Sequence, residues 1–153
     1  MEMVLFVGIP ATGKSSFYRE RFFDSHIRIN LDMLRTRHRQ DALLRACLEA
    51  RQPFVLDNTN VTRAERAGPI GLARSAGFRV IGYHFESRVG ASLDTNRIRP
   101  GGARIPDVAV RAKASRLEIP RMDEGFDALY HVKLLEPGGF IVEAWRQEGG
   151  GGP

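Results

Sequence analysis

A glycine-rich loop near the start of the chain carries the clearest chemical pattern. Residues 8–15 are Gly-Ile-Pro-Ala-Thr-Gly-Lys-Ser, two glycines separated by four residues and followed by Lys and Ser. In such a loop the backbone N–H groups surround a phosphate and the lysine adds a positive charge. The residues predicted to contact the phosphates of a nucleotide are Gly8, Pro10, Ala11, Thr12, Gly13, Lys14, Ser15 and Ser16.

Two side chains are suited to hold Mg²⁺ beside that phosphate. Ser15 follows the loop lysine, and Asp57 comes directly after the apolar run 53–56. A carboxylate at the end of a strand beside a phosphate-binding loop can hold Mg²⁺ or its water. We therefore predict Mg²⁺ at Ser15 and Asp57. The nucleotide is predicted to be ATP, because the Asn/Thr-Lys-x-Asp pattern that reads guanine is absent from the sequence.

Asp32 and Arg35 have the spacing of a second reactive pair. Asn30 could cap a helix that places both side chains on one face. Phosphorylation of a hydroxyl needs a carboxylate to accept its proton and a cation to hold a neighbouring phosphate. We predict these roles for Asp32 and Arg35, although the same spacing is also typical of an ordinary surface ion pair.

Two further segments could contact the substrate or the transferring phosphate. Asp57, Asn58, Thr59 and Asn60 follow a predicted strand, and their side chains could bind substrate phosphate or base; for Thr59 and Asn60 a turn before a helix is the alternative. The segment 96–106 contains Arg97, Arg99 and Arg104 among glycines and prolines. It is predicted to be a lid whose arginines close over the phosphates, with a solvated charged loop as the alternative.

Short apolar runs and intervening helical patterns position these residues. Runs typical of buried parallel strands cover 3–7, 27–29, 53–56, 78–85 and 129–135. Helical patterns cover 14–23, 41–51, 63–76, 91–97 and 108–119, and residues 140–145 could form a return strand. Strands that alternate with helices predict a parallel sheet covered on both faces. Gly68-Pro69 should kink or split the third helix.

Composition limits the class of protein. The chain has 153 residues, 23 basic against 18 acidic, a net charge of +5 and one cysteine. This length fits one domain, predicted at residues 1–148 and followed by a disordered glycine-rich tail at 149–153. No membrane span and no leader segment are expected, which predicts a cytoplasmic protein. The net charge alone is a weak argument for a nucleic-acid partner.

The order of these motifs resembles the kinase domain of the polynucleotide 5′-hydroxyl kinases and their bacterial relatives. The similarity runs through the loop at 8–15, Asp32 with Arg35, the segment 57–60, the arginines at 96–106, and Pro120 with 124–126. It implies that Asp32 is the general base on a 5′-hydroxyl and that Arg35 holds the acceptor's 3′-phosphate. It also implies that a lid arginine, best matched by Arg99 and otherwise Arg97 or Arg104, contacts the donor phosphates.

The combined prediction is an α/β protein of the P-loop NTPase class. We expect a parallel five-stranded sheet of order 2-3-1-4-5, helices on both faces and a helical or loop lid. Its expected activity is transfer of the γ-phosphoryl group of Mg-ATP to a hydroxyl, foremost the 5′-hydroxyl of DNA or RNA. Two alternatives remain open: a kinase of a nucleoside or sugar, and a non-catalytic ATP-binding module.

Overall fold

The computed structural model describes residues 1–86, 105–135 and 138–145, in which strands and helices alternate. The strands are β1 (Glu2–Val7), β2 (Ile27–Ile29), β3 (Phe54–Leu56), β4 (Arg79–Phe85), β5 (Ala128–Leu134) and β6 (Phe140–Ala144). The helices are α1 (Lys14–Arg21), α2 (Leu31–Leu34), α3 (Arg37–Ala50), α4 (Arg63–Ser75) and α5 (Asp107–Arg116), with a 3₁₀ turn at Met122–Glu124. Every strand predicted from an apolar run is present.

All six strands form one sheet in the order β2-β3-β1-β4-β5-β6. The first five are parallel, which confirms the predicted order 2-3-1-4-5. The sixth pairs antiparallel with β5 and extends the predicted sheet, as the return strand expected at 140–145. Because β1 and β3 are parallel neighbours, the loops that follow Val7 and Leu56 lie at the same edge of the sheet.

Helices cover both faces of this sheet, as predicted. On one face, Leu5 of β1 belongs to a buried cluster with Leu44 of α3 and Ile70 of α4. On the other, Phe6 packs edge-to-face against Phe17 of α1, with ring centroids 5.8 Å apart. Each fully buried side chain of this size stabilises the fold by about 2 kcal/mol. Alternate residues of β1 therefore anchor α1 and the pair α3–α4 on opposite faces.

Two helices differ from their predicted bounds in ways that affect the site. Helix α3 begins at Arg37 rather than Asp41, because Thr36 caps it by accepting a hydrogen bond from the Arg39 backbone N–H at 3.2 Å. Helix α4 runs unbroken through Pro69, so the predicted split is wrong. Its packing through buried residues such as Ile70 outweighs the hydrogen bond that proline cannot donate.

Several predictions lie outside the described residues. They concern the helix at 91–97, the lid arginines Arg97, Arg99 and Arg104, and the tail at 149–153. Within the ranges that the structure describes, none of the helices has both the length and the apolar character needed to cross a membrane.

Candidate active site

The phosphate-binding loop makes a sharp turn between β1 and α1, and its two glycines serve different purposes. Gly13 has a φ of 93°, in the left-handed region that favours glycine. At Gly8 the requirement is space, since a Cβ there would lie 3.0 Å from the Cβ of Phe85. Helix α1 begins at Lys14 without a side-chain cap. The first N–H groups of such a helix are the usual donors to a phosphate.

The ammonium group of Lys14 lies inside this loop. Its Nζ donates to the carbonyl oxygens of Gly8 at 3.0 Å and Ile9 at 2.8 Å. The Thr12 hydroxyl donates to the same Ile9 oxygen at 3.0 Å. These bonds hold the loop in its curve and place one positive charge within it.

An arginine that the sequence analysis did not single out joins the two predicted metal ligands. The Nε of Arg28, on β2, donates to Oδ2 of Asp57 at 2.8 Å. One terminal nitrogen of the same guanidinium donates to Oγ of Ser15 at 2.9 Å. The Asp57 side chain is 2% exposed, so this ion pair supplies the partner that a buried carboxylate requires. The structure thus brings the side chains of Ser15 and Asp57 to one guanidinium, and their role as metal ligands stays a prediction.

The residues that follow β3 fasten it to the start of α2. Nδ2 of Asn58 donates to Oε1 of Gln40 at 2.7 Å, and Oδ1 of Asn58 accepts from the Leu31 backbone N–H at 2.8 Å. Nδ2 of Asn30 donates to the backbone carbonyl of Asp57 at 2.6 Å. The side chain of Asn58, predicted to bind substrate, is therefore bonded within the protein, where it positions α2.

Asn60 and Thr59 hold the adjoining turn against the phosphate-binding loop. Nδ2 of Asn60 donates to the carbonyl of Phe6 at 2.8 Å, and Asn60 has a φ of 47°. The Thr59 carbonyl accepts from the Gly8 backbone N–H at 3.0 Å. This arrangement matches the turn that was the alternative for Asn60, whose amide nitrogen is directed at the backbone of β1.

Helix α2 places Asp32 but not Arg35. Asn30 caps it as predicted, since Oδ1 accepts from the Met33 backbone N–H at 3.0 Å. The helix ends at Leu34, and Arg35 has a φ of 77°. Arg35 therefore caps the end of α2 instead of lying within it: its backbone N–H still donates to the Leu31 carbonyl at 2.7 Å, and the chain leaves the helix at Arg35 itself.

A cleft of about 760 Å³ lies between the phosphate-binding loop, α2 and the turn after β3. The predicted residues that line it are Pro10, Ala11, Gly13, Lys14, Ser15, Ser16, Asp32, Asp57, Asn58, Thr59 and Asn60. Gly8, Thr12 and Arg35 are not among its lining residues. The cleft therefore brings the proposed base, the loop lysine and both predicted metal ligands to one space.

Three cations in the cleft wall were missed by the sequence analysis: Arg19, Arg37 and Lys113. Arg37 lies there because α3 begins directly after α2, with Thr36 as its N-terminal cap. Thr36 was the residue in the sequence that could have indicated this helix start. Helix periodicity placed Arg19 and Lys113 on helices, yet their approach to one cleft depends on how α1 and α5 pack. With Lys14 these residues give the cleft four cations, and the carboxylates of Asp32, Asp41, Asp57 and Glu65 line the same cleft.

A buried ion pair supports the turn that carries Asn60. Nε and one terminal nitrogen of Arg66 donate to the two carboxylate oxygens of Glu124 at 2.7 and 3.1 Å. The other terminal nitrogen of Arg66 donates to the Asn60 carbonyl at 2.8 Å. The two side chains are 0% and 3% exposed. The 3₁₀ turn is thereby linked through α4 to the edge of the cleft.

A family model described as AAA domain matches residues 28–120. Among curated proteins, a bifunctional polynucleotide phosphatase/kinase from Schizosaccharomyces pombe is 27% identical over 135 residues. That match covers 86% of this chain and 33% of the relative, so the chain spans about a third of the relative's length.

Solved structures share the fold at low sequence identity. Kti12 from Chaetomium thermophilum, in complex with ADP-AlF3, superposes with a TM-score of 0.64 at 16% identity and covers 86% of this chain and 88% of that one. A putative kinase from Chloroflexus aurantiacus has a TM-score of 0.62 at 16% identity, with 89% of each chain covered. The chain therefore has the α/β fold of the P-loop kinases, and it belongs to the AAA domain family, whose model matches more than half of it.

Proposed function

We propose that this protein transfers the γ-phosphoryl group of ATP to a hydroxyl of its substrate. The observation that carries this proposal is the shared cleft, which has Lys14 and Ser15 on one wall and the carboxylate of Asp32 on another. A carboxylate in that place can accept the hydroxyl proton while the loop holds the donor phosphates. The relative named as a phosphatase/kinase and the kinase fold support the same class of reaction.

In the proposed reaction, the acceptor oxygen forms a bond to the γ-phosphorus while the bond between the γ-phosphorus and the β–γ bridging oxygen breaks. The acceptor proton passes to Asp32, and ADP leaves with the electron pair of the broken bond. Lys14 and the N–H groups at the start of α1 hold the phosphates in line with the acceptor. A lid arginine, Arg99 or alternatively Arg97 or Arg104, is proposed to contact the donor phosphates.

The hydroxyl of Ser15 and the carboxylate of Asp57 fit Mg²⁺. Both are oxygen donors, which Mg²⁺ prefers, and they are close enough to bond to one guanidinium. When bound, Mg²⁺ offsets the negative charge of the transferring phosphates. Asp57 follows β3 and Ser15 lies on α1, so two rigid elements position this donor pair.

The proposed acceptor is the 5′-hydroxyl end of DNA or RNA. Arg19, Arg37 and Lys113 line the cleft and could bind the phosphates of a nucleic-acid strand. The relative from Schizosaccharomyces pombe is named for a polynucleotide substrate, which supports this choice. Arg35 remains the residue that the resemblance assigns to the acceptor phosphate, although it does not line the cleft, whereas Arg37 does.

Incubation with γ-labelled ATP and a panel of acceptors tests the proposal. The panel contains 5′-hydroxyl DNA and RNA with and without a 3′-phosphate, a nucleoside and a sugar, with 5′-phosphorylated DNA as the matched control. We expect label only on the 5′-hydroxyl nucleic acids and a steep loss of transfer with added salt. Label on the nucleoside or sugar alone would support a small-molecule kinase. ATP binding without transfer to any acceptor would support a non-catalytic module.

A further inference from the structure

Arg28 has contacts that do not follow from the proposed reaction. Its single guanidinium donates to Oγ of Ser15 at 2.9 Å and to Oδ2 of Asp57 at 2.8 Å. These are the two oxygens proposed to hold the divalent cation. The Arg28 guanidinium therefore bonds to both side chains that are proposed to bind the metal ion.

The sheet fixes the position from which the Arg28 side chain extends. Arg28 is the middle residue of β2 and lies opposite Val55 of β3, two residues before Asp57. The Asp57 backbone N–H donates to the carbonyl of Ile29 at 2.8 Å, so the two strands remain paired up to the carboxylate. The Arg28 guanidinium also lies 6.0 Å from the centroid of the Tyr18 ring, on α1. Its approach to Ser15 and Asp57 is set by two strands and a helix.

The two partners differ in their exposure to solvent. The Asp57 side chain is 2% exposed, whereas that of Arg28 is 27% exposed. A buried carboxylate needs a cation beside it, but a partly exposed arginine on a flexible stem can move its charge into water. The Asp57 carboxylate can therefore exchange one cation for another at lower cost than it can lose both.

We propose that Arg28 is a positioning residue that competes with the divalent cation for Ser15 and Asp57. Binding of the metal–nucleotide then requires the guanidinium to leave both oxygens, since two cations on the same ligands repel each other. Arg28 thereby sets the metal concentration at which the site loads. This inference rests on the proposed role of Ser15 and Asp57 in holding the metal.

The test measures metal binding rather than turnover. Mn²⁺ binding to the full chain, saturated with a non-hydrolysable ATP analogue, is followed by electron paramagnetic resonance. We expect Arg28→Gln to lower the half-saturating Mn²⁺ concentration by roughly tenfold, because the competing charge is removed. Arg28→Lys keeps a charge but cannot bond to both oxygens in the same way, and a smaller shift in the same direction is expected.

Unfolding gives a second readout on the same variants. In EDTA, Arg28→Gln should unfold at a lower temperature than wild type, because Asp57 loses its partner. Mn²⁺ without nucleotide should raise the unfolding temperature of this variant more than that of wild type. Arg63→Gln is the matched control, since it removes an arginine from the exposed pair with Asp123 outside the cleft. Its response to Mn²⁺ should equal that of wild type.

The outcomes separate the inference from the proposed function. If Asp57→Asn binds Mn²⁺ with the nucleotide as tightly as wild type, the proposed metal role of Asp57 is overturned. If Asp57→Asn loses Mn²⁺ while Arg28→Gln and Arg28→Lys both bind it like wild type, only the competition is overturned. If Arg28→Gln does not fold even with Mn²⁺, Arg28→Lys decides, and an unchanged Mn²⁺ affinity in it refutes the competition.

Discussion

Removal of the Glu124 carboxylate should destabilise this protein far more than removal of the carboxylate next to it. Glu124 accepts two hydrogen bonds from Arg66, and both side chains are almost wholly buried. Its Oε2 also accepts from the Arg121 backbone N–H at 2.8 Å. Glu124→Ala leaves the Arg66 charge buried without its carboxylate, and such a change costs about 3–5 kcal/mol.

Asp123 provides the matched control within the same 3₁₀ turn. Its Oδ1 pairs with Arg63 at 2.9 Å, but the two side chains are 57% and 48% exposed. Solvent screens such a pair, and its loss costs about 0–1 kcal/mol. The same chemical change at adjacent positions should therefore give free energies of unfolding that differ by a few kcal/mol.

Urea unfolding of wild type, Glu124→Ala and Asp123→Ala measures this difference. A total stability of about 5–15 kcal/mol leaves the Glu124 variant folded in the upper part of that range and with only about 0–2 kcal/mol of stability at its lower end. The double variant Arg66→Met with Glu124→Leu removes both charges and should recover much of the loss, because no buried charge then lacks a partner. Equal losses at Glu124 and Asp123, both below about 1 kcal/mol, would refute the reasoning.

Two other predictions concern charge and pH. Lys14→Ala should weaken binding of a fluorescent ATP analogue by roughly tenfold or more, since a charge-assisted hydrogen bond contributes about 1.5–3 kcal/mol. Lys133→Ala, on β5, is the control and should leave the affinity unchanged. Equal affinities for wild type and both variants would contradict the role assigned to Lys14. Burial, with His131 and Arg66 nearby, lowers the pKa of His84 to about 4 from 6.5. The unfolded chain therefore binds more protons than the native state between these values, and stability should fall by about 2 kcal/mol from pH 7 to pH 5. Urea unfolding of wild type against His84→Gln checks this, and an equal loss in both proteins would exclude His84 as the cause.

The strands were the most predictable part of the fold. Residues 3–7 and 53–56 are continuous apolar runs because their strands are buried on both faces, a condition that is visible in composition alone. The loop at 8–15 was predictable for a similar reason, since its geometry needs glycine at two fixed positions. Local sequence carries both signals.

The substrate side of the cleft was less predictable, because its geometry depends on contacts between distant residues. Asn58 bonds to Leu31 and Gln40, which lie 27 and 18 residues away along the chain. The three-residue spacing could not show that α2 is only one turn long, with Arg35 as its C-terminal cap and outside the lining of the cleft. The contact of Arg28 with Asp57 required the pairing of β2 with β3, and only the polar residue between two isoleucines hinted at it.

The most direct test of the proposed phosphotransfer separates nucleotide binding from transfer in one variant. Asp32→Asn keeps the shape of the side chain but removes the carboxylate that accepts the proton. With the acceptor that the panel identifies, the rate of single-turnover transfer from γ-labelled ATP should fall by roughly a hundredfold or more. The affinity for ATP should stay within about twofold of wild type, because Asp32 is assigned to the acceptor and not to the nucleotide. Transfer by Asp32→Asn at the wild-type rate would contradict the assignment of Asp32 as the base, and with it the proposed mechanism.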